Sequence, residues 1–303
     1  MWPLFRSSNR SPDPADPARR ALTAEALADR LPPLLIEAER VTQTVAAGAH
    51  GRRRAGPGEL FWQFRRYQPG EAAAIDWRQS ARGDHLYVRE TEWAAAETVR
   101  VWCDASPSMV WRSRADLPEK RDRALLLTLA LAALLLKGGE RVGLLGSGSA
   151  PVSGNGALFR LSARLAAEAE AGLPGATAGL RRGEAVLVSD FLMPLDEIAA
   201  DLRRLAAAGA NGHLLHILDP AEESLPYEGH VRFQGMEGEG EILVRRAEEI
   251  RDSYVARLAA HRAGLAALAA ELGWSFATHH TDQPPQAALL ALHARLSGRR
   301  KGP

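Results

Sequence analysis

The sequence predicts an α/β fold, a doubly wound and mainly parallel sheet of Rossmann-like type over residues 98–303, covered by helices on both faces. Two observations carry that expectation. Short apolar runs alternate with helix-length stretches, beginning at Thr98-Val99-Arg100-Val101-Trp102-Cys103 and continuing through Arg141–Leu145, Ala185–Ser189, His213–Leu218 and Trp274–Thr278. The first and third of these runs each deliver an aspartate at the carboxyl end, Asp104 and Asp190. In open parallel sheets ligands bind beyond that edge, at the point where the strand order reverses.

The stretches between the strands read as helices over Arg123–Lys137, Leu158–Ala171, Leu195–Ala208, Ala247–Leu272 and Pro285–Leu296. Residues 219–246 read as a polar insert holding two short strands. Residues 1–19 are rich in Ser, Pro, Asp and Arg and predict a disordered tail. Residues 20–97 then make a segment of their own. It has a helix after Thr23, a break at Pro32-Pro33, a second helix over Leu34–Ala47, a basic loop at Gly51–Gly58 and aromatic-rich extended pieces after residue 60. Those aromatic residues need burial, so the segment is expected to pack on the α/β domain.

A length of 303 residues allows one large domain or two ordinary ones. The 38 Lys and Arg against 37 Asp and Glu leave a net charge of +1, which offers nucleic acid or anionic lipid no bulk attraction. With Cys103 as the single cysteine, no intrachain disulfide can form. The start, Met1 to Arg6, lacks the apolar core of a signal peptide. Both features fit a cytoplasmic protein. The longest apolar run, Ala124–Leu136, falls short of the roughly 20 residues a membrane span needs and reads as a buried core helix.

The chemistry-bearing pattern is Asp104-Ala105-Ser106-Pro107-Ser108, directly after the first strand of the alternating region. A carboxylate and two hydroxyls at alternate positions of a tight turn can point the same way, and all are hard oxygen donors suited to Mg²⁺ or Mn²⁺. Asp190, in Val188-Ser189-Asp190-Phe191, could reach the same ion directly or through one water. The bland alternative makes each aspartate a helix cap and the serines a turn. As a strand-end carboxylate Asp104 is expected to be exposed, so that replacing it leaves the fold intact.

This turn with a later strand-end aspartate resembles the metal-ion-dependent adhesion site of von Willebrand factor A domains. The preceding segment is more specific. Tyr67-Gln68-Pro69-Gly70-Glu71, Ile75-Asp76-Trp77-Arg78-Gln79-Ser80-Ala81-Arg82 and Leu86-Tyr87-Val88-Arg89-Glu90 resemble the signature of the bacterial family called domain of unknown function 58. Leu218-Asp219-Pro220-Ala221-Glu222 and Thr281-Asp282 extend the likeness towards the C-terminus. The resemblance implies a von Willebrand factor A-like domain acting as a metal-binding adaptor beside a MoxR-type AAA+ ATPase, with no established catalytic activity. It also implies a threonine ligand from a loop between the two Asp-bearing strands. Thr177 is the candidate, although little chain separates it from the strand of Asp190. The paired acids that often follow the Gly in the family are Glu71-Ala72 here.

The Trp-Arg segment has two readings. Asp76, Trp77, Arg78, Arg82 and Arg89 form a buried ion-pair and stacking cluster, the favoured one, or Arg78 and Arg82 face solvent and bind an acidic partner. Gly146-Ser147-Gly148-Ser149 lacks the ending of a phosphate loop and reads as a loop. His213, His216, His279 and His280 read as structural or surface residues, and Cys103 as core. The function expected is therefore a metal-dependent protein-interaction adaptor and not an enzyme. The competing class is a Mg²⁺-dependent hydrolase or phosphoryl-transfer enzyme using Asp104 and Asp190.

Overall fold

The computed structural model describes residues 33–46, 61–67, 75–83, 85–91, 97–167, 172–174, 183–236 and 240–298. The expected tail over 1–19, the helix after Thr23, the basic loop at 51–58 and Thr177 lie outside them. The chain divides into two compact units, residues 1–47 with 97–303, and residues 48–96.

The larger unit is the α/β sheet. Its five strands are β3 (Thr98–Cys103), β4 (Arg141–Leu144), β5 (Glu184–Ser189), β6 (Asn211–Leu218) and β9 (Ser275–His280). They lie in the order β4-β3-β5-β6-β9, and every neighbouring pair is parallel. An antiparallel bridge between Val142 and Val152 sits on β4. The chain steps from β3 to β4 on one side and then returns to β5 on the other. The strand order therefore reverses between β3 and β5, the two strands that end in Asp104 and Asp190.

Burial on both faces explains why these strands read as continuous apolar runs. Along β5, Val186 and Val188 face one core while Ala185 and Leu187 face the other, the two-residue period of a strand. The first core is filled by α1 (residues 33–46), α3 (Lys120–Lys137), α4 (Ala157–Ala167) and α8 (Pro285–Gly298). α5 (Leu195–Ala207) and α7 (Ala247–Glu271) close the second. Helix α3 is buried nearly all round, as its apolar run predicts. Helix α1 docks on it through Ala38, Val41 and Val45, and the buried Thr42 hydroxyl donates to the carbonyl of Ala130 at 3.0 Å. The sequence division at residue 97 groups this helix with the segment after it; its packing groups it with the sheet.

Between β6 and α7 runs the expected insert. It holds the antiparallel pair β7 (Val231–Gln234) and β8 (Glu241–Val244), seated on Tyr254 and Leu258 of α7 through Phe233. It also holds a short helix that the sequence reading missed, α6 (Pro220–Ser224). At the amino ends of the strands, the buried His213 of β6 bridges two neighbours: its Nε2 lies 2.9 Å from Glu184 of β5 and its Nδ1 2.7 Å from Ser275 of β9. The relay resembles a nucleophile–base–acid series, but it sits at the end of the sheet opposite the switch point. It ties three strands together.

The smaller unit pairs β1 (Phe61–Arg66) with β2 (Tyr87–Thr91), antiparallel. Its Ile75–Ser80 motif builds a one-turn helix, α2 (Trp77–Ser80). Asp76 caps that turn by accepting from the Gln79 amide at 2.9 Å, and the buried Ser80 hydroxyl accepts from the Tyr87 amide at 2.8 Å. The favoured reading of a buried Trp-Arg cluster is wrong: Trp77 is 69% exposed, and Arg78 and Arg82 are exposed too. Asp76 turns inward to cap, which carries the next residues outward. Arg89 lies on β2, and its side chain is outside the described residues. No helix among the described residues is long and apolar enough to cross a membrane.

One close approach makes the packing testable. A Cβ on Gly212 would lie 1.8 Å from the ring of Trp274, a rigid group buried in the second core. Gly212→Ala should destabilise the protein by about 1–3 kcal/mol, the range for overpacking. On Gly264 the Cβ would meet only the tip of Leu195, and the helical preference for Ala over Gly works the other way. Denaturant unfolding of both variants should rank Gly212→Ala well below Gly264→Ala; equal midpoints would contradict the packing described.

Candidate metal centre

Four segments converge at the carboxyl ends of β3, β5 and β6. The chain leaves β3 with the Asp104 amide still bonded to the Val188 carbonyl at 2.9 Å, so Asp104 extends the β3–β5 pairing by one residue. A single 3₁₀ turn, Pro107–Met109, follows. The Asp104 carboxylate folds back over it: Oδ1 accepts from the Ser106 amide at 2.8 Å, and Oδ2 accepts from the Ser189 hydroxyl at 2.6 Å. The Ser106 and Ser108 hydroxyls lie 2.9 Å apart. Asp104, Ser106 and Ser108 are all buried, so the expectation of an exposed Asp104 is corrected. The continued pairing draws it under the adjacent strand end.

The end of β5 is shaped by a backbone that only a strong local constraint holds. Phe191 has φ +46, in the left-handed region, yet it is fully buried. Its amide donates to Ser189 Oγ at 2.8 Å, and its carbonyl lies 2.7 Å from His261 Nε2. Ser189 thus joins the Phe191 turn to Asp104, and the intervening Asp190 is turned into the interior at 2% exposure. Its Oδ2 accepts from Lys120 Nζ at 2.8 Å, while its Oδ1 has a long 3.4 Å contact with the Leu192 amide.

Lys120 was not singled out from the sequence. It opens α3, and its ammonium, 0% exposed, also donates to Glu222 Oε1 at 2.6 Å. The Trp111 ring centroid lies 6.0 Å from it. Burial works to discharge this ammonium, but Asp190 and Glu222 outweigh it and hold its pKa above the ordinary value. Glu222 is fixed in turn by a capping box on α6. Its Oε2 accepts from the Asp219 amide at 2.8 Å, and Asp219 caps Ala221. Asp219 Oδ2 also accepts from the Ser113 amide at 2.9 Å, which fastens the loop beyond the serine turn to the end of β6.

Two sequence signals pointed towards this pair. A lysine in the first turn of a helix opposes the helix dipole and so calls for a carboxylate partner. Asp219-Pro220-Ala221-Glu222 directly after a strand is a capping-box pattern. Neither signal says that the two would meet.

The donor set fits a hard cation. Asp104, Ser106 and Ser108 offer oxygen only, and the buried carboxylates Asp190 and Glu222 outnumber the ammonium between them. Among the described residues no three His, Cys, Asp or Glu side chains are grouped as a metal set, so an ion here would depend on the hydroxyls. His216 is fully buried between Phe191 and Phe276, and burial pushes its pKa down to about 3, which leaves it neutral. Burial likewise pushes the Cys103 thiol up to about 12. Arg78 and Arg82 belong to the other compact unit.

Burial, and next the charge of Asp190, push the Asp104 pKa up to about 6; bonds from Ser189 and Ser106 oppose them. A carboxyl group raised in the folded state contributes stability at low pH and loses it as pH climbs through its folded pKa. In chelator, the stability difference between Asp104→Asn and the parent should therefore move in the variant's favour from pH 4 to 7, by at most about 3 kcal/mol. A difference that stays flat across that window would contradict the assignment. Lys120→Met leaves two buried carboxylates without a counter-ion and should cost about 3–5 kcal/mol in denaturant unfolding. A loss under about 1 kcal/mol would mean that the pair is solvated.

Comparison with known proteins gives the family of the chain. The uncharacterized proteins Rv1480 and MT1527 of Mycobacterium tuberculosis and Mb1516 of Mycobacterium bovis are each 29% identical to it over 283 residues, covering 85% of this chain and 86% of theirs. The crystal structure of the conserved hypothetical protein BatB from Bacteroides thetaiotaomicron aligns at 15% identity with a TM-score of 0.32, over 67% of this chain and 100% of that one. A family model described as "Protein of unknown function DUF58" matches residues 63–264. That match takes in both the Trp-Arg hairpin and the centre at the switch point, and the chain belongs to the DUF58 family.

Proposed function

We propose that the protein is a metal-dependent interaction module that grips a partner through a divalent cation at the β3–β5 switch point. The observation that carries this reading is the buried turn in which the Asp104 carboxylate and the paired Ser106 and Ser108 hydroxyls are gathered beside Asp190. Asp104, Ser106 and Ser108 would hold Mg²⁺ or Mn²⁺, with Asp190 contributing directly or through water by its Oδ1. The bound ion supplies positive charge and a coordination position for an acidic side chain of the partner. This reading follows from the resemblance of the Asp104-x-Ser106-x-Ser108 turn to the metal-ion-dependent adhesion site of von Willebrand factor A domains. The family resemblance makes a MoxR-type AAA+ ATPase the partner of choice and protein assembly or maturation the process. Exposed Arg78 and Arg82 would add contacts to an acidic surface.

Calorimetry with Mn²⁺ tests the metal. The parent should bind one ion; Asp104→Asn should abolish binding, and Ser106→Ala with Ser108→Ala should weaken it by about tenfold or more. Capture of the AAA+ ATPase should then occur in Mg²⁺ and fail both in chelator and with Asp104→Asn. Equal capture with and without the ion would contradict the reading. Turnover of a phosphoester that vanishes in Asp104→Asn would replace it with the hydrolase or phosphoryl-transfer alternative.

A further inference from the structure

The centre carries more negative charge than a docking site for carboxylates should tolerate. Asp104, Asp190 and Glu222 are each buried to 5% exposure or less. An ion held by Asp104 beside a free Asp190, with the charge of Glu222 next to that, would lose attraction for an incoming acid. The structure prevents this with its own cation. Lys120 Nζ takes Asp190 Oδ2 at 2.8 Å and Glu222 Oε1 at 2.6 Å, so those two oxygens point at an ammonium. Its backbone is anchored as well: the Lys120 amide donates to the Trp111 carbonyl at 3.0 Å. Asp104 is left with neutral hydrogen-bond donors, the Ser189 and Ser106 hydroxyls and the Ser106 amide.

We propose that Lys120 is a positioning residue that restrains Asp190 and Glu222, so that a divalent ion on the Asp104–Ser106–Ser108 turn keeps its attraction for one carboxylate of a protein partner. The inference rests on the metal reading above and deepens it. With Lys120 charged, its ammonium offsets negative charge on Asp190 and Glu222, so less of it opposes the ion's attraction for an outside acid. The site then accepts one acid from outside. Without Lys120, Asp190 Oδ2 is released as a ligand and that negative charge is no longer offset. The ion is held more tightly and the outside acid is turned away. A purely structural ion pair makes a different forecast: stability falls, but metal and carboxylate affinities do not move in opposite directions.

The test uses the full chain, Mn²⁺ as the ion and acetate as the carboxylate. Mn²⁺ affinity is read from the paramagnetic resonance signal of the free ion. Acetate binding is read from loss of water-proton relaxation when it displaces water on the bound ion. Lys120→Met should bind Mn²⁺ on the order of tenfold tighter and acetate on the order of tenfold weaker, as removal of a nearby unit charge implies. Glu222→Gln, which keeps the ammonium and removes an acid, should shift both affinities the opposite way. Lys120→Arg, where it folds, should restore parental values. If Lys120→Met does not fold, Glu222→Gln decides alone. Affinities that stay unchanged, or that rise and fall together, would overturn the proposal. Unchanged Mn²⁺ affinity in Asp104→Asn would instead overturn the metal reading beneath it.

Discussion

A fully buried ammonium stays charged only if carboxylates surround it, and Lys120 takes its two from separate elements of the sheet's upper edge. Asp190 comes from the end of β5 and Glu222 from the helix that follows β6. The position of the lysine, at the amino end of α3, is set by the loop that carries the serine turn. Moving any one of these three segments strands a charge in the interior. The arrangement of the centre is thus enforced by the penalty for breaking it, which exceeds what any surface ion pair could supply.

The remaining bonds transmit that constraint. Ser189 bonds Asp104 on one side and the Phe191 amide on the other, which makes the strained turn after β5 part of the same unit as the serine turn after β3. Asp219 reaches back to Ser113 and ties in the loop between them. At the opposite end of the sheet the Glu184–His213–Ser275 series fixes β5, β6 and β9 against one another. Register is pinned at both ends, so the strand termini hold their relative heights. An ion site built from one carboxylate and two hydroxyls needs that precision, because it has few strong ligands to correct an error.

Much of this was legible in the sequence. The strands appeared within a residue or two of their expected limits because burial on both faces writes an uninterrupted apolar run. Asp104 and Asp190 could be assigned to one edge because both end parallel strands. Their burial was not legible, since strand pairing beyond the last assigned residue depends on the neighbour. Lys120 and Glu222 were missed because the sequence placed neither on a helix, α3 being expected to open only at Arg123 and α6 not at all, and 102 positions separate them. The Trp77 exposure was misjudged for a related reason: composition announces an aromatic–arginine cluster, but the cap made by Asp76 decides which way it points. Local patterns identify elements; charge pairs between distant elements come only with the fold.

The most direct measurement is the anomalous scattering of Mn²⁺ in crystals of the full chain. A single peak bounded by Asp104, Ser106 and Ser108, with the Lys120 ammonium still bonded to Asp190 and Glu222, is the predicted result. A peak that displaces Lys120 from those carboxylates, or no peak at the switch point at saturating Mn²⁺, would contradict the account.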